Sequence, residues 1–91
     1  DEVDLFRAEG EIVWIMAGDK RYMATQTLRE IEKVLEGTSF RRVHRSALVN
    51  CGHVRRISSI SSQRWLLTLD NAHEVVASKR LGSAVRELLR R

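Results

Sequence analysis

The sequence has no proline, one cysteine and five aromatic residues, and none of its apolar runs is long. Each shortage closes a class of protein. A lone thiol, Cys51, cannot form an internal disulfide, which excludes a disulfide-stapled secreted mini-protein and makes the reducing cytoplasm the expected setting. No apolar stretch approaches the roughly 20 residues that a membrane-spanning helix needs, so no membrane association is expected. The opening Asp1-Glu2-Val3-Asp4 lacks the basic-then-apolar profile of a secretory signal. Aromatics this sparse, most of them inside apolar runs, argue against base stacking on single strands. Nothing reads as an interdomain linker or an internal repeat, and 91 residues fit a single domain over 1–91.

What remains is apolar enough to fold. Hydrophobic residues make up 43% of the chain, too many for a disordered segment, and Trp14 and Trp65 are expected in a core. The charge is unevenly placed. Residues 1–40 carry five basic and nine acidic side chains, a balance of −4, whereas residues 41–91 carry eleven basic and three acidic, a balance of +8. Such a split suggests a basic face that meets a polyanion, unless folding intermixes the two halves.

Periodicity gives a mainly β chain. Asp4–Ala8 is a short strand that Gly10 breaks, and Glu11–Ala17 is a buried β-branched and aromatic strand. Gly18-Asp19 turns the chain into a returning strand, Arg21–Thr25. Leu28, Ile31, Val34 and Leu35 then line one face of an amphipathic helix, with Thr27 and Glu30 as a capping box and Gly37 as a left-handed C-cap. Phe40–Val43, Ala47–Val49, Val54–Ile57 and Arg64–Leu69 follow as strands, with Ser58–Ser62 as a loop. Asp70-Asn71-Ala72 turns into a last strand, His73–Ala77. Ser78 caps a closing helix in which Leu81, Val85, Leu88 and Leu89 share a face.

Chemistry concentrates in Phe40-Arg41-Arg42-Val43-His44-Arg45-Ser46-Ala47-Leu48-Val49-Asn50. A His-Arg-Ser turn between two apolar strands places donors at a sheet rim on a rigid base. Arginine there takes phosphate or guanine through its fork, and Ser46 or a backbone amide takes phosphate.

This stretch resembles the signature of the LytTR-type DNA-binding domain, the output module of many bacterial response regulators. The likeness extends over nearly the whole chain: Asp4–Gly10 at the start, Thr27-Leu28 opening the helix, Gly52-His53-Val54 after the motif, and Val76–Arg80 near the close. It implies an elongated arrangement of small antiparallel sheets with one or two short helices. It also implies binding of double-stranded DNA by loops inserted in successive major grooves. Base contacts are expected at three places: the loop Glu9-Gly10-Glu11, the residue after the motif histidine, Arg45, and the arginine after the late serine, Arg80. Where the family usually offers Asn, His or Tyr, this chain has Glu11. Its carboxylate can accept from cytosine N4 but repels phosphate.

Candidate backbone contacts are Arg42, His44, Ser46, His53, Arg55, Arg56, Ser78 and Lys79, the last at a helix start where amides attract phosphate. His44 has a second reading, as a structural histidine bonded within the motif. Strand alternation sends half of such residues away from any one face. About five neutralised phosphates would give a log–log salt slope near −4.5. The family also implies a preceding receiver domain, paired direct repeats as target, and an isolated domain that is monomeric and pairs on DNA.

Other classes fare worse. Cys51 with His44 or His53 suggests a nucleophile, but no orienting acid is near in sequence, and no P-loop, dinucleotide fingerprint or nucleophile elbow is present. Cys51-x-His53 has no second ligand pair for zinc. No enzyme, cofactor or metal is therefore expected. The remaining competitor is a basic β-rich module that binds RNA or protein.

Overall fold

Each short apolar run finds an antiparallel neighbour. The chain is described here by a computed structural model, which covers residues 2–89; Asp1, Arg90 and Arg91, counted in the charge balance, lie outside the described residues. Strands β1 (Leu5–Glu9), β2 (Ile12–Ala17), β3 (Lys20–Ala24), β4 (Phe40–His44) and β5 (Ala47–Asn50) form one sheet in the order β3-β2-β1-β5-β4. Strands β6 (Val54–Ser61), β7 (Arg64–Leu69) and β8 (Glu74–Ser78) form a second sheet in sequence order. Helix α1 (Leu28–Val34) lies on the outer face of the larger sheet, and α2 (Lys79–Leu89) packs on β4, β7 and β8. No helix among the described residues is long and apolar enough to cross a membrane.

The larger sheet is buried on both faces at its centre, which explains why β5 reads as an unbroken apolar run, Ala47-Leu48-Val49, rather than an alternating one. One face meets the smaller sheet and α2 through Leu5, Val43, Val49, Leu67, Leu69, Val75 and Val85. The other face meets α1 through Phe6, Val13, Leu28, Phe40 and Leu48, with the Phe6 and Phe40 ring centroids 5.4 Å apart. Thr27 caps α1 as its sequence promised: its side chain accepts from Glu30 N–H, and Glu30 reaches back to Thr27 N–H.

Three expectations change. Ser58–Ser61 is strand, because the apolar run of β7 offers it a full row of partners, Ser58 opposite Leu66 and Ser59 opposite Trp65. Val34 is 81% exposed, since α1 covers only part of the sheet and ends there. Neither tryptophan is fully buried. Trp65 packs at the edge of the core with Arg86 over its ring at 5.4 Å, and half-buried Trp14 carries Arg21 over its ring at 4.3 Å.

The two sheets are tied together at one corner. Asp4, 1% exposed just before β1, accepts from Gly18 N–H (3.0 Å) in the β2–β3 turn and from His53 Nδ1 (2.6 Å) just before β6. His73, just before β8, donates from Nε2 to Gly18 O (2.8 Å). Asp70, after β7, pairs with Arg55 (2.6 Å) in β6. At this tied end a buried carboxylate is satisfied by two donors, which is what makes its burial tolerable. Gly10-Glu11 and Arg45-Ser46 lie at the opposite, free end of the larger sheet. Ser62-Gln63 and Ser78-Lys79 lie at the free end of the smaller one.

Candidate nucleic-acid interface

The His-Arg-Ser turn is held from several sides. A bulge between Arg42 and His44 shifts the β4–β5 register and leaves Arg45-Ser46 as a tight connection. His44 Nδ1 accepts from Ser46 N–H (3.2 Å) and lies 2.9 Å from Ser46 Oγ. Arg42, half-buried, donates to the carbonyls of His44 (3.0 Å) and Arg45 (2.7 Å) and to the Glu32 carboxylate of α1 (2.6 Å). Charge-assisted bonds of this kind contribute about 1.5–3 kcal/mol each where they are shielded from water. The backbone of Arg45 is fixed while its side chain stays exposed and free.

The first loop lies beside this turn. Ala8 N–H donates to Ser46 O (2.9 Å), extending the β1–β5 ladder so that Gly10-Glu11 and Arg45-Ser46 leave the same edge of the sheet. Gly10 has φ 61°, a conformation glycine adopts without a Cβ penalty, and the turn needs only two residues. Glu11 is exposed at its tip. On the other side, Leu81, Ala84 and Leu88 of α2 face Arg41 and Arg42 across a shallow cleft. Through Arg42 the turn is thus continuous with the first turn of α2, where Lys79 and Arg80 are exposed. Ser78 caps that helix, its Oγ accepting from Leu81 N–H (3.3 Å).

The cations divide into spent and unspent. Arg7 donates to Glu74 O (2.8 Å), Arg41 to Phe40 O and Thr38 O, Arg42 and Arg55 form ion pairs, and Arg21 and Arg86 stack on tryptophan. The charged groups of Arg45, Arg64, Lys79 and Arg80 have no partner among the described residues, and all four lie at the free ends of the sheets. Lys20, Arg29, Lys33 and Arg56 are also unpaired but sit elsewhere, on the β3 edge, on α1 and near the tied end of β6.

The residues singled out from sequence therefore separate. Glu11, Arg45, Lys79 and Arg80 come to the free ends with exposed side chains. Arg42, His44 and Ser46 bond one another's turn, and Ser78 bonds its helix. His53 and Arg55 belong to the tied end, a sheet's length from the Arg45 turn. Arg64 drew no notice in the sequence, where it stands alone before an apolar run. Only the β7–β8 pairing, which sets it directly opposite Ser78, gives it company.

Cys51 and the Asp4–His53–Asp70 group lie toward the tied end. Cys51 is 3% exposed and packed in the core between the sheets, and burial pushes its thiol pKa up against the opposing charge of Arg41. Asp4, His53 and Asp70 bring ligand-type atoms within 4.8 Å, yet each already has a protein partner: His53 on Asp4, Arg55 on Asp70.

Comparison with known proteins agrees with this geometry. A family model described as the LytTr DNA-binding domain matches residues 1–90. Among solved structures, the chain is similar to the LytTr DNA-binding domain of a Bacillus cereus protein described as a putative methyl-accepting/DNA response regulator. The TM-score is 0.85 at 31% identity, covering 97% of this chain and 81% of that one. No curated protein matches. With the family's model spanning nearly every residue and its sheets and turns reproduced in space, this chain belongs to the LytTr DNA-binding domain family.

Proposed function

We propose that this domain is the output module of a bacterial response regulator, binding specific double-stranded DNA sequences in the cytoplasm to regulate transcription. The observation that carries this reading is the set of unpaired cations at the free ends of two sheets, with Arg45 set on a turn that Arg42 holds rigid. A fixed backbone under a free guanidinium lowers the ordering cost of a base contact. Arg45 and Arg80 each match the O6 and N7 acceptors of guanine, and Glu11 matches cytosine N4. Lys79 and the first amides of α2 face phosphate. Arg42, His44, Ser46 and Ser78 act by holding their turns, while His53 and Arg55 hold the tied end.

The description of the Bacillus cereus neighbour as a response regulator supports a receiver domain as the covalent partner. The domain binds as a monomer to each half of a paired direct repeat. No step of this function is catalytic.

In vitro selection from a random duplex library, followed by titration of variants, tests the proposal. Arg45→Ala and Arg80→Ala each lower affinity for the selected duplex by about 1–3 kcal/mol, some 5- to 150-fold, and leave binding to random duplex within a few fold. Equal loss on both duplexes would remove their base-reading role. Selection that enriches nothing, or single strands that compete as well as duplex, would sink the proposal itself.

A further inference from the structure

The β6–β7 hairpin is the longest in the protein and reaches the free end of the smaller sheet. Between Arg55 and Leu69 it contains no acidic residue, and it carries Arg55, Arg56 and Arg64. Arg55 is neutralised by Asp70 at the tied end. Arg64 is not. Its Cα is the register partner of Ser78, the residue immediately before Lys79 and Arg80, so it stands one strand away from them. The tip is an ordered turn rather than a loose loop: Gln63 N–H donates to Ser61 Oγ (3.2 Å) and Ser59 Oγ to Ser61 O (3.2 Å). Ser61, Ser62, Gln63 and Arg64 are all exposed there.

We infer that this hairpin tip is a further DNA contact, with Arg64 taking a backbone phosphate beside the base pair met by Arg80. The inference rests on the DNA-binding function proposed above and adds to it a strand turn absent from the sequence-predicted contacts. Like charges crowd here at a cost that the folded protein does not offset. Arg64 is set opposite Ser78, the residue that precedes Lys79 and Arg80, and no carboxylate is paired to any of the three among the described residues. A phosphate placed between strand and helix relieves that repulsion and gains the helix-start amides at the same time. A protein partner would need an acidic surface of matching pattern, whereas the DNA backbone supplies one wherever Arg80 enters a groove.

The test compares wild type with Arg64→Ala and Arg64→Lys by fluorescence anisotropy across a salt series. The probes are a duplex enriched by selection on the wild-type domain and a random-sequence duplex of equal length. Thermal melting confirms that the exposed substitutions leave the fold intact. Arg64→Ala weakens binding to both duplexes by the same factor and makes the log–log salt slope shallower by about 1, and Arg64→Lys restores most of both. Unchanged affinity and slope in Arg64→Ala, while Arg45→Ala and Arg80→Ala lose selected-site binding, would overturn the hairpin contact and leave the proposed function standing. Loss confined to the selected duplex would overturn the phosphate assignment. Absence of duplex preference in wild type would instead bring down the underlying function.

Discussion

Gly82 has no room for a methyl group. A Cβ there would stand 2.5 Å from Trp65 Cδ1 and 3.0 Å from Trp65 Cβ, so the whole indole, not only its far edge, must shift. That indole also carries Arg86 on its face. Gly82→Ala therefore costs about 1–3 kcal/mol of overpacking, more than alanine regains in helix propensity, and lowers the melting midpoint by roughly 5–15 °C. An unchanged midpoint in differential scanning calorimetry would show that the ring swings away freely. At this scale the sequence is least legible. Arg42 and Arg45 look equivalent on paper, both basic and both in the motif, yet one side chain donates to two carbonyls and a carboxylate while the other has no acceptor among the described residues. What separates them is a bulge between Arg42 and His44, and no local propensity encodes its position.

Among the elements, the tie at Asp4 joins parts of both sheets. The carboxylate bonds the β2–β3 turn and the approach to β6, and its own backbone pairs with Met16 and Asn50. Asp4→Ala leaves Gly18 N–H and His53 without their acceptor in a buried site, a loss of about 3 kcal/mol by analogy with broken buried pairs. Because the tie is a sheet's length from Arg45, affinity for DNA measured well below the melting transition should stay within a few fold of wild type. A large loss of affinity in a fully folded Asp4→Ala protein would show that the tie also aligns the free ends. Element identity was largely readable: capping box, hairpins and the Ser78 cap follow from residue type alone. The exception is instructive. Ser58–Ser61 has the composition of a loop, and only pairing with Leu66 and Trp65 across the sheet makes it strand. The same misreading hid Arg64, whose place depends on that hairpin's reach.

Over the whole molecule, the −4 and +8 halves overstated the charge available to a partner. Half of the described arginines of the basic half, Arg41, Arg42, Arg55 and Arg86, are engaged internally, leaving four cations at the free ends with no partner among the described residues. If all four act on phosphate the salt slope reaches about −3.6, shallower than the −4.5 expected for about five neutralised phosphates. A measured slope steeper than roughly −6 would mean that internally paired arginines let go of their partners on binding. That the chain is mainly β could be read from hydrophobic pattern because two cores impose it on nearly every strand, while the arrangement of small antiparallel sheets was legible only through the resemblance. The grouping of unpaired cations at the free ends could not be read, since it depends on how β8 and α2 cross beside β4. One further property follows from the tie. Val3 lies next to Asp4, and exposed Leu89 borders the same cleft as Val54 and Arg55, so both ends of the described chain lie toward the tied side. A tag, tether or sensor surface attached at either terminus is thereby kept clear of Glu11, Arg45, Arg64 and Arg80, and the domain can be immobilised by either end with its exposed turns still open to solution.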